Sequence, residues 1–178
     1  MTYVTAPTLT TDRLRLRAHR REDFERYAAM WAHPDVVARI TGVPATRHES
    51  WLRLMRAMGM WSMLGYGYWV VESREDQTFL GELGLADFLR EITPSIAGIP
   101  EAGWVLAPDA QGKGIATEAM RAVMSWADTH LDTPKTVCFL DADFEASKSV
   151  ALKLGFREQT QTTFRGRPTL MMERPARA

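Results

Sequence analysis

The residues from Glu101 to His130 constrain the fold of this chain more than any other segment. An extended run, Glu101 to Leu106, is stopped by Ala107-Pro108-Asp109, and glycines follow at 112 and 114. From about Ala116 apolar residues recur at helical spacing, with Ala119, Val123, Trp126 and Ala127 on one stripe. The reading is strand, glycine-rich turn, helix. Glycines let a ligand approach the backbone closely, and the amide N–H groups at a helix start face outward with the positive end of the dipole, so this turn suits a pyrophosphate. Lys113 either adds charge at the rim of such a site or is simply solvated. A P-loop does not fit, because no hydroxyl residue follows the lysine, and a dinucleotide fingerprint does not fit, because Thr117 stands where its third glycine belongs.

Around this segment the order of elements can be read from periodicity and turn chemistry. Leu14 and Leu16 alternate with Arg13, Arg15 and Arg17, the period of a half-buried strand. Phe24, Tyr27, Ala28 and Trp31 follow at helical spacing until His33-Pro34 breaks the pattern. Thr46 and Glu49 have the spacing of a capping box, and Trp51, Met55 and Met58 mark one face of a helix to about Met63, ended by Gly65 and Gly67. Tyr68 to Glu72 and Thr78 to Leu85 read as a hairpin, and residues 87 to 100 as an irregular loop. Thr136 to Ala142 is a further strand, Glu145 to Leu154 a short helix capped by Gly155, and Thr169 to Arg174 a last strand. The sum is a mixed α/β chain without internal repeat or linker, one domain over residues 1–178.

Several function classes are disfavoured by bulk properties. Lys plus Arg and Asp plus Glu both number 22, so no net positive field gathers nucleic acid or an anionic membrane. The first residues lack the apolar stretch of a secretory signal, and no run has the length of a membrane span, so a cytoplasmic location is expected. The lone Cys138 cannot form an internal disulfide and reads as a buried strand residue among Val137, Phe139 and Leu140. The histidines at 19, 33, 48 and 130 are scattered; surface roles are expected for each, and no metal site is expected. The tryptophans read as core packing.

Gln111, Gly114 and Ala116 form Gln-x-x-Gly-x-Ala, which resembles the acyl-CoA pyrophosphate signature of the GNAT superfamily. Glu101-x-Gly103-Trp104-x-Leu106, Thr117-Glu118-Ala119, Ala146-Ser147, Lys153-Leu154-Gly155-Phe156 and the start Thr11 to Arg17 look like the RimJ/RimL-type branch, so the resemblance covers nearly the whole chain. It implies a mostly antiparallel twisted sheet of about six to seven strands with about four helices, binding acetyl-CoA as co-substrate. The pyrophosphate would lie on the amides of Gln111, Gly112, Lys113, Gly114, Ile115 and Ala116, with Thr117 next in line. The pantetheine arm would run along Val105 and Leu106, and the thioester would lie toward Trp104 and Gly103. The implied reaction is direct attack of a neutral amine on the thioester, the acceptor being a protein N-terminus or a small molecule. An amine is mostly protonated at neutral pH, so a base is needed. Glu101 on the acceptor side is the candidate, the alternatives being a substrate-orienting acid or an exposed strand-end carboxylate. Ser147 would bond the departing thiolate, or act as a helix cap. Relatives often carry Asn where this chain has Phe144, so the hydrogen bond that Asn gives the pantetheine arm is replaced by an apolar wall. The alternative function is a non-catalytic acyl-CoA-binding module. A homodimer is compatible with the sequence.

Overall fold

The computed structural model describes residues 4–164 and 166–177. Strand β1 (Leu9–Thr10) pairs antiparallel with β2 (Leu14–Arg17), where Leu14 and Leu16 are buried as their alternation predicts. Arg17 is buried as well. Its guanidinium meets Asp23 at 2.7 and 2.8 Å and Glu72 at 2.7 Å, so the charge is taken out of water with its partners in place.

Helix α1 (Phe24–Ala32) stops at His33, and Pro34 opens a four-residue helix α2 (Pro34–Val37), using proline where its missing N–H has no cost. Helix α3 (Arg47–Leu64) starts on the expected capping box. The Glu49 amide donates to Thr46 Oγ1 at 3.2 Å, and Glu49 Oε2 accepts the Thr46 amide at 2.7 Å. The face of α3 that packs inward is not the one marked by Met55 and Met58, which are exposed, but Ser50, Leu54, Ala57, Met60 and Trp61. Apolar residues lie all round this helix, so its periodicity alone does not single out the buried face.

Strands β3 (Tyr68–Ser73), β4 (Phe79–Ala86) and β5 (Glu101–Leu106) continue the sheet, and helix α4 (Ile115–His130) crosses over to β6 (Lys135–Asp141). Helix α5 (Glu145–Lys153) then leads to β7 (Arg157–Phe164) and β8 (Arg167–Pro175). The sheet order is β1-β2-β3-β4-β5-β6-β8-β7, antiparallel throughout except for β5 and β6. Among the described residues there are eight strands and five α-helices, against the expected six to seven and about four. The additions are short or polar: β1, α2 and β7, whose residues are mostly exposed on an edge strand and carry no apolar alternation.

Two large cores cover the two faces of the sheet, beside a small third cluster of Ile96, Val137 and Met171. Leu16, Trp69, Val71 and Leu83 pack under Ala119, Met120 and Val123 of α4, while Val70 and Val105 pack against Tyr27 and Trp31 of α1 and Leu54 of α3. Successive residues of β3 thus serve opposite faces, as the pleat requires. Cys138 is buried in β6, and Trp31, Trp61 and Trp69 are buried. His19 departs from the expected surface role: it is 5% exposed and lies between α1 and the sheet, its Nε2 3.1 Å from Glu82 Oε2. A ring bonded by a carboxylate can be buried, and that partner lies 63 residues away in sequence.

Candidate active site

Strands β5 and β6 pair only at Glu101 with Val137 and Ala102 with Cys138, then part. The Val137 amide bonds the Pro100 carbonyl at 3.0 Å, so by the alternation of a strand the peptide groups of Ala102, Trp104 and Leu106 face β6. Beyond Ala102 there is no strand to receive them. The Leu106 carbonyl accepts Gln111 Nε2 at 3.1 Å, and the Trp104 indole spans the opening to donate to Ser147 Oγ at 3.0 Å. The result is a wedge with a backbone edge on one wall that no strand pairs, its Leu106 carbonyl met by the Gln111 side chain.

The glycine turn lies at the open end of this edge. Gly112 and Gly114 have φ of +73° and +76°, the left-handed region, and a β-carbon on Gly112 would have nothing within 4 Å. The first bond of α4 runs from the Glu118 amide to the Gly114 carbonyl at 3.0 Å, so the amides of Ile115, Ala116 and Thr117 have no acceptor within the helix. A diphosphate fits such a concavity of free N–H groups without steric opposition. Arg13 stands beside it, ion-paired with Glu118 at 2.6 Å and donating to the Lys113 carbonyl at 3.2 Å, a neighbour that sequence reasoning did not identify. Lys113 itself is exposed and is not in the lining of the cleft.

Wedge and turn open into one cleft of about 1590 Å³, which Glu101, Trp104, Val105, Leu106 and Ser147 also line. Phe144, 36% exposed, flanks it from the position just before α5. The Ser147 hydroxyl accepts the Trp104 indole and forms no cap for α5, which leaves its own proton to donate.

Glu101 is 4% exposed and faces Arg90, whose Nε and Nη2 donate to its two oxygens at 2.5 and 2.7 Å. Burial alone would lower the basicity of Arg90, but the bonds and charge of Glu101 outweigh it and hold the guanidinium above its usual range. The space over Gly103, toward which the thioester is expected to lie, is taken by the Tyr68 hydroxyl, with which a β-carbon at 103 would collide. Burial raises the Tyr68 phenol, and the charges of Glu101 and Glu82 raise it further, so it remains a proton donor at any ordinary pH. Gly103→Ala is therefore expected to displace the Tyr68 ring at about 1–3 kcal/mol of stability. Turnover should fall with the ring's displacement while acetyl-CoA binding is retained; thermal melting and thiol release measure both.

Deeper in the cleft, Glu82 is 2% exposed and accepts Tyr27 Oη at 2.8 Å and Trp31 Nε1 at 3.0 Å. Sequence reasoning placed neither Tyr68 nor Glu82 at the site. The available signal was a single carboxylate inside the otherwise apolar run 79–86, which a buried strand tolerates only with partners.

Residues 13–157 match the family of acetyltransferase (GNAT) domains. A Bordetella pertussis protein assigned to the GnaT family of acetyltransferases superposes with a TM-score of 0.85 at 30% identity, covering 95% of this chain and 99% of its own. The acetyltransferase from Agrobacterium tumefaciens strain C58 gives 0.81 at 25%, covering 98% and 97%. The Bacillus subtilis protein YkkB is 27% identical over 170 residues, which span 93% of this chain and 94% of that one.

Proposed function

The chain belongs to the GNAT acetyltransferase family, and on that premise we propose that it is an acetyl-CoA-dependent N-acetyltransferase acting on a primary amine of a protein N-terminus or a small molecule. The observation that carries this reading is the parting of β5 from β6 beside a turn of left-handed glycines, which offers a linear ligand an unpaired strand edge and its phosphates a nest of amides. The amides of 112–117 hold the diphosphate, since the Gln111 amide is taken by the Pro108 carbonyl at 3.1 Å, and the Trp104 peptide group and the Leu106 amide hold the arm. The motifs at 101–106, 111–119 and 146–156 support membership of the RimJ/RimL-type branch. One domain spans the chain, and among the described residues no helix is long and apolar enough to cross a membrane. We take the compartment to be the cytoplasm.

Bound acetyl-CoA supplies an activated thioester, at whose carbonyl carbon an N–C bond forms as the C–S bond breaks. The chain's own part is positioning and proton management. The Trp104 N–H, turned into the wedge, is set to stabilise negative charge on a carbonyl oxygen there. Glu101 takes the amine proton, directly or through one water, using the carboxylate lone pairs that Arg90 leaves free. Ser147 donates its hydroxyl proton in a hydrogen bond to the sulfur that leaves. Free thiol released from acetyl-CoA across a panel of amines and N-terminal peptides tests the reading. Acetyl-CoA binding with no release for any acceptor would favour a non-catalytic binding module instead.

Phe144 gives a further expectation. It is exposed enough that truncation leaves no core cavity, and it flanks the cleft where the arm passes. Phe144→Asn is expected to leave CoA affinity equal or tighter by titration calorimetry. A loss beyond about tenfold, roughly 1.4 kcal/mol, would show that the apolar wall itself carries the binding.

A further inference from the structure

We infer that the acceptor amine also carries an oxyanion, a carboxylate or a phosphate, bound by Arg53 and Arg56 of α3; this deepens the acetyl-transfer reading and rests on it. Both residues line the cleft that Tyr68 and Val105 also line. The Arg53 guanidinium lies over the Trp31 indole, 4.3 Å from its centroid, and Arg56 lies 5.1 Å from the Phe88 centroid. The Phe88 ring in turn meets the Tyr68 ring edge-on at 6.4 Å, and the Tyr68 hydroxyl reaches Gly103. Arg56 is thus connected to the reacting end of the cleft through two aromatic rings, with Arg53 one turn away on α3.

Among the described residues no ion pair answers the charge of either arginine, and Glu82 and Glu49 offset the charge of Arg53 only from a distance. Arg90 is paired with Glu101, and Arg39 with Asp141 at 3.3 Å. Among the described residues neither Arg53 nor Arg56 forms a hydrogen bond or an ion pair, and the nearby Glu82 already serves Tyr27, Trp31 and His19. Burial, and after it the charge of Arg56, lowers the basicity of Arg53, so the half-buried Arg53 guanidinium lies within reach of the like charge of the exposed Arg56. A guanidinium whose face rests on a ring keeps its in-plane N–H fork free, and that fork matches the geometry of a carboxylate or phosphate. An anion placed there satisfies both arginines. A polyamine would bring further positive charge beside the two arginines.

The test uses the full chain with CoA saturating the glycine turn, and the variant R53Q/R56Q, which loses no hydrogen bond of the fold. Inorganic phosphate and malonate are expected to raise the melting temperature of the native protein and not that of the variant; equal responses overturn the inference. In acetyl-CoA turnover, matched probes are compared: phenylalanine against phenylalaninamide for a carboxylate, and O-phosphoethanolamine against ethanolamine for a phosphate. The expected result is a KM about ten- to hundredfold lower for the anionic member of one pair, with the advantage lost in the variant and kcat little changed. The pair that responds names the source of the oxyanion. A preference for the neutral members, or for spermidine, overturns the inference. So does a variant that loses CoA affinity, because the arginines then hold the co-substrate. If no amine is acetylated while the anion response still depends on the two arginines, the acetyl-transfer reading fails and the anion site stands.

Discussion

Replacing Gly114 by valine is expected to abolish the thermal stabilisation that acetyl-CoA confers. A ligand bound only by the native state stabilises it by mass action, about 2.7 kcal/mol at a hundredfold excess over Kd, which for a chain of this size is a shift of roughly 5–10 °C. Gly114 has a φ of +76°, where an L-residue is strained by about 1–2 kcal/mol. The only atom a β-carbon would approach is Arg13 Nη2 at 3.7 Å, an ordinary contact. The variant therefore loses some stability but has no clash to prevent folding. Its branched side chain would instead stand where a diphosphate must approach the amides of 115–117. Differential scanning fluorimetry with and without acetyl-CoA separates the two effects, since strain lowers the unliganded midpoint and blockage removes the difference. A folded variant whose shift is unchanged would take the co-substrate away from this turn.

The second large effect belongs to Glu101. Glu101→Gln keeps shape and hydrogen-bonding capacity but removes the base, and turnover at neutral pH is expected to drop about 10²- to 10⁴-fold, some 3 to 5 kcal/mol of barrier. Acetyl-CoA affinity should hardly change. Activity should return as pH rises toward the acceptor's own pKa, because solvent then supplies the neutral amine. The ion pair with Arg90 adds a structural consequence: the variant leaves a half-buried guanidinium facing a neutral amide, about 1–3 kcal/mol of lost stability. Arg90→Gln separates the roles. It breaks the same pair but keeps the carboxylate, so it should lose stability of the same order while retaining most of the turnover. A loss in Glu101→Gln smaller than about tenfold with a saturating acceptor, or an Arg90→Gln variant as inactive as Glu101→Gln, would mean that the carboxylate only holds Arg90 in place.

The elements legible in the sequence are those whose cause is local. The capping box at Thr46, the stop at His33-Pro34 and the strand 101–106 were readable because each depends on residues within one turn or one pleat. Strand β7 was not readable, because Arg157–Phe164 becomes a strand only by pairing with β8 on an outer edge. A polar edge strand needs no apolar face, so it leaves no period to find. The buried face of α3 and the burial of His19 were misread or missed for a related reason: which side of an element meets the core is settled by what packs on it.

The same division runs through the candidate site. By itself the sequence determined the glycine turn and the strand and helix on either side of it, since left-handed backbone and a free helix start follow from Gly112, Gly114 and the run after them. Only the tertiary structure decided that β5 parts from β6 after Ala102, because β6 is held along its whole length by β8, which lies far from β5 in the chain. It likewise brought Trp104 to Ser147 across 43 positions, set Tyr68 over Gly103, tied Glu101 to Arg90 and, among the described residues, left Arg53 and Arg56 without an ion pair. Side-chain chemistry is written in the sequence, but whether a charge is answered depends on what lies within a few ångströms of it, and distance in space is set only when the chain has folded.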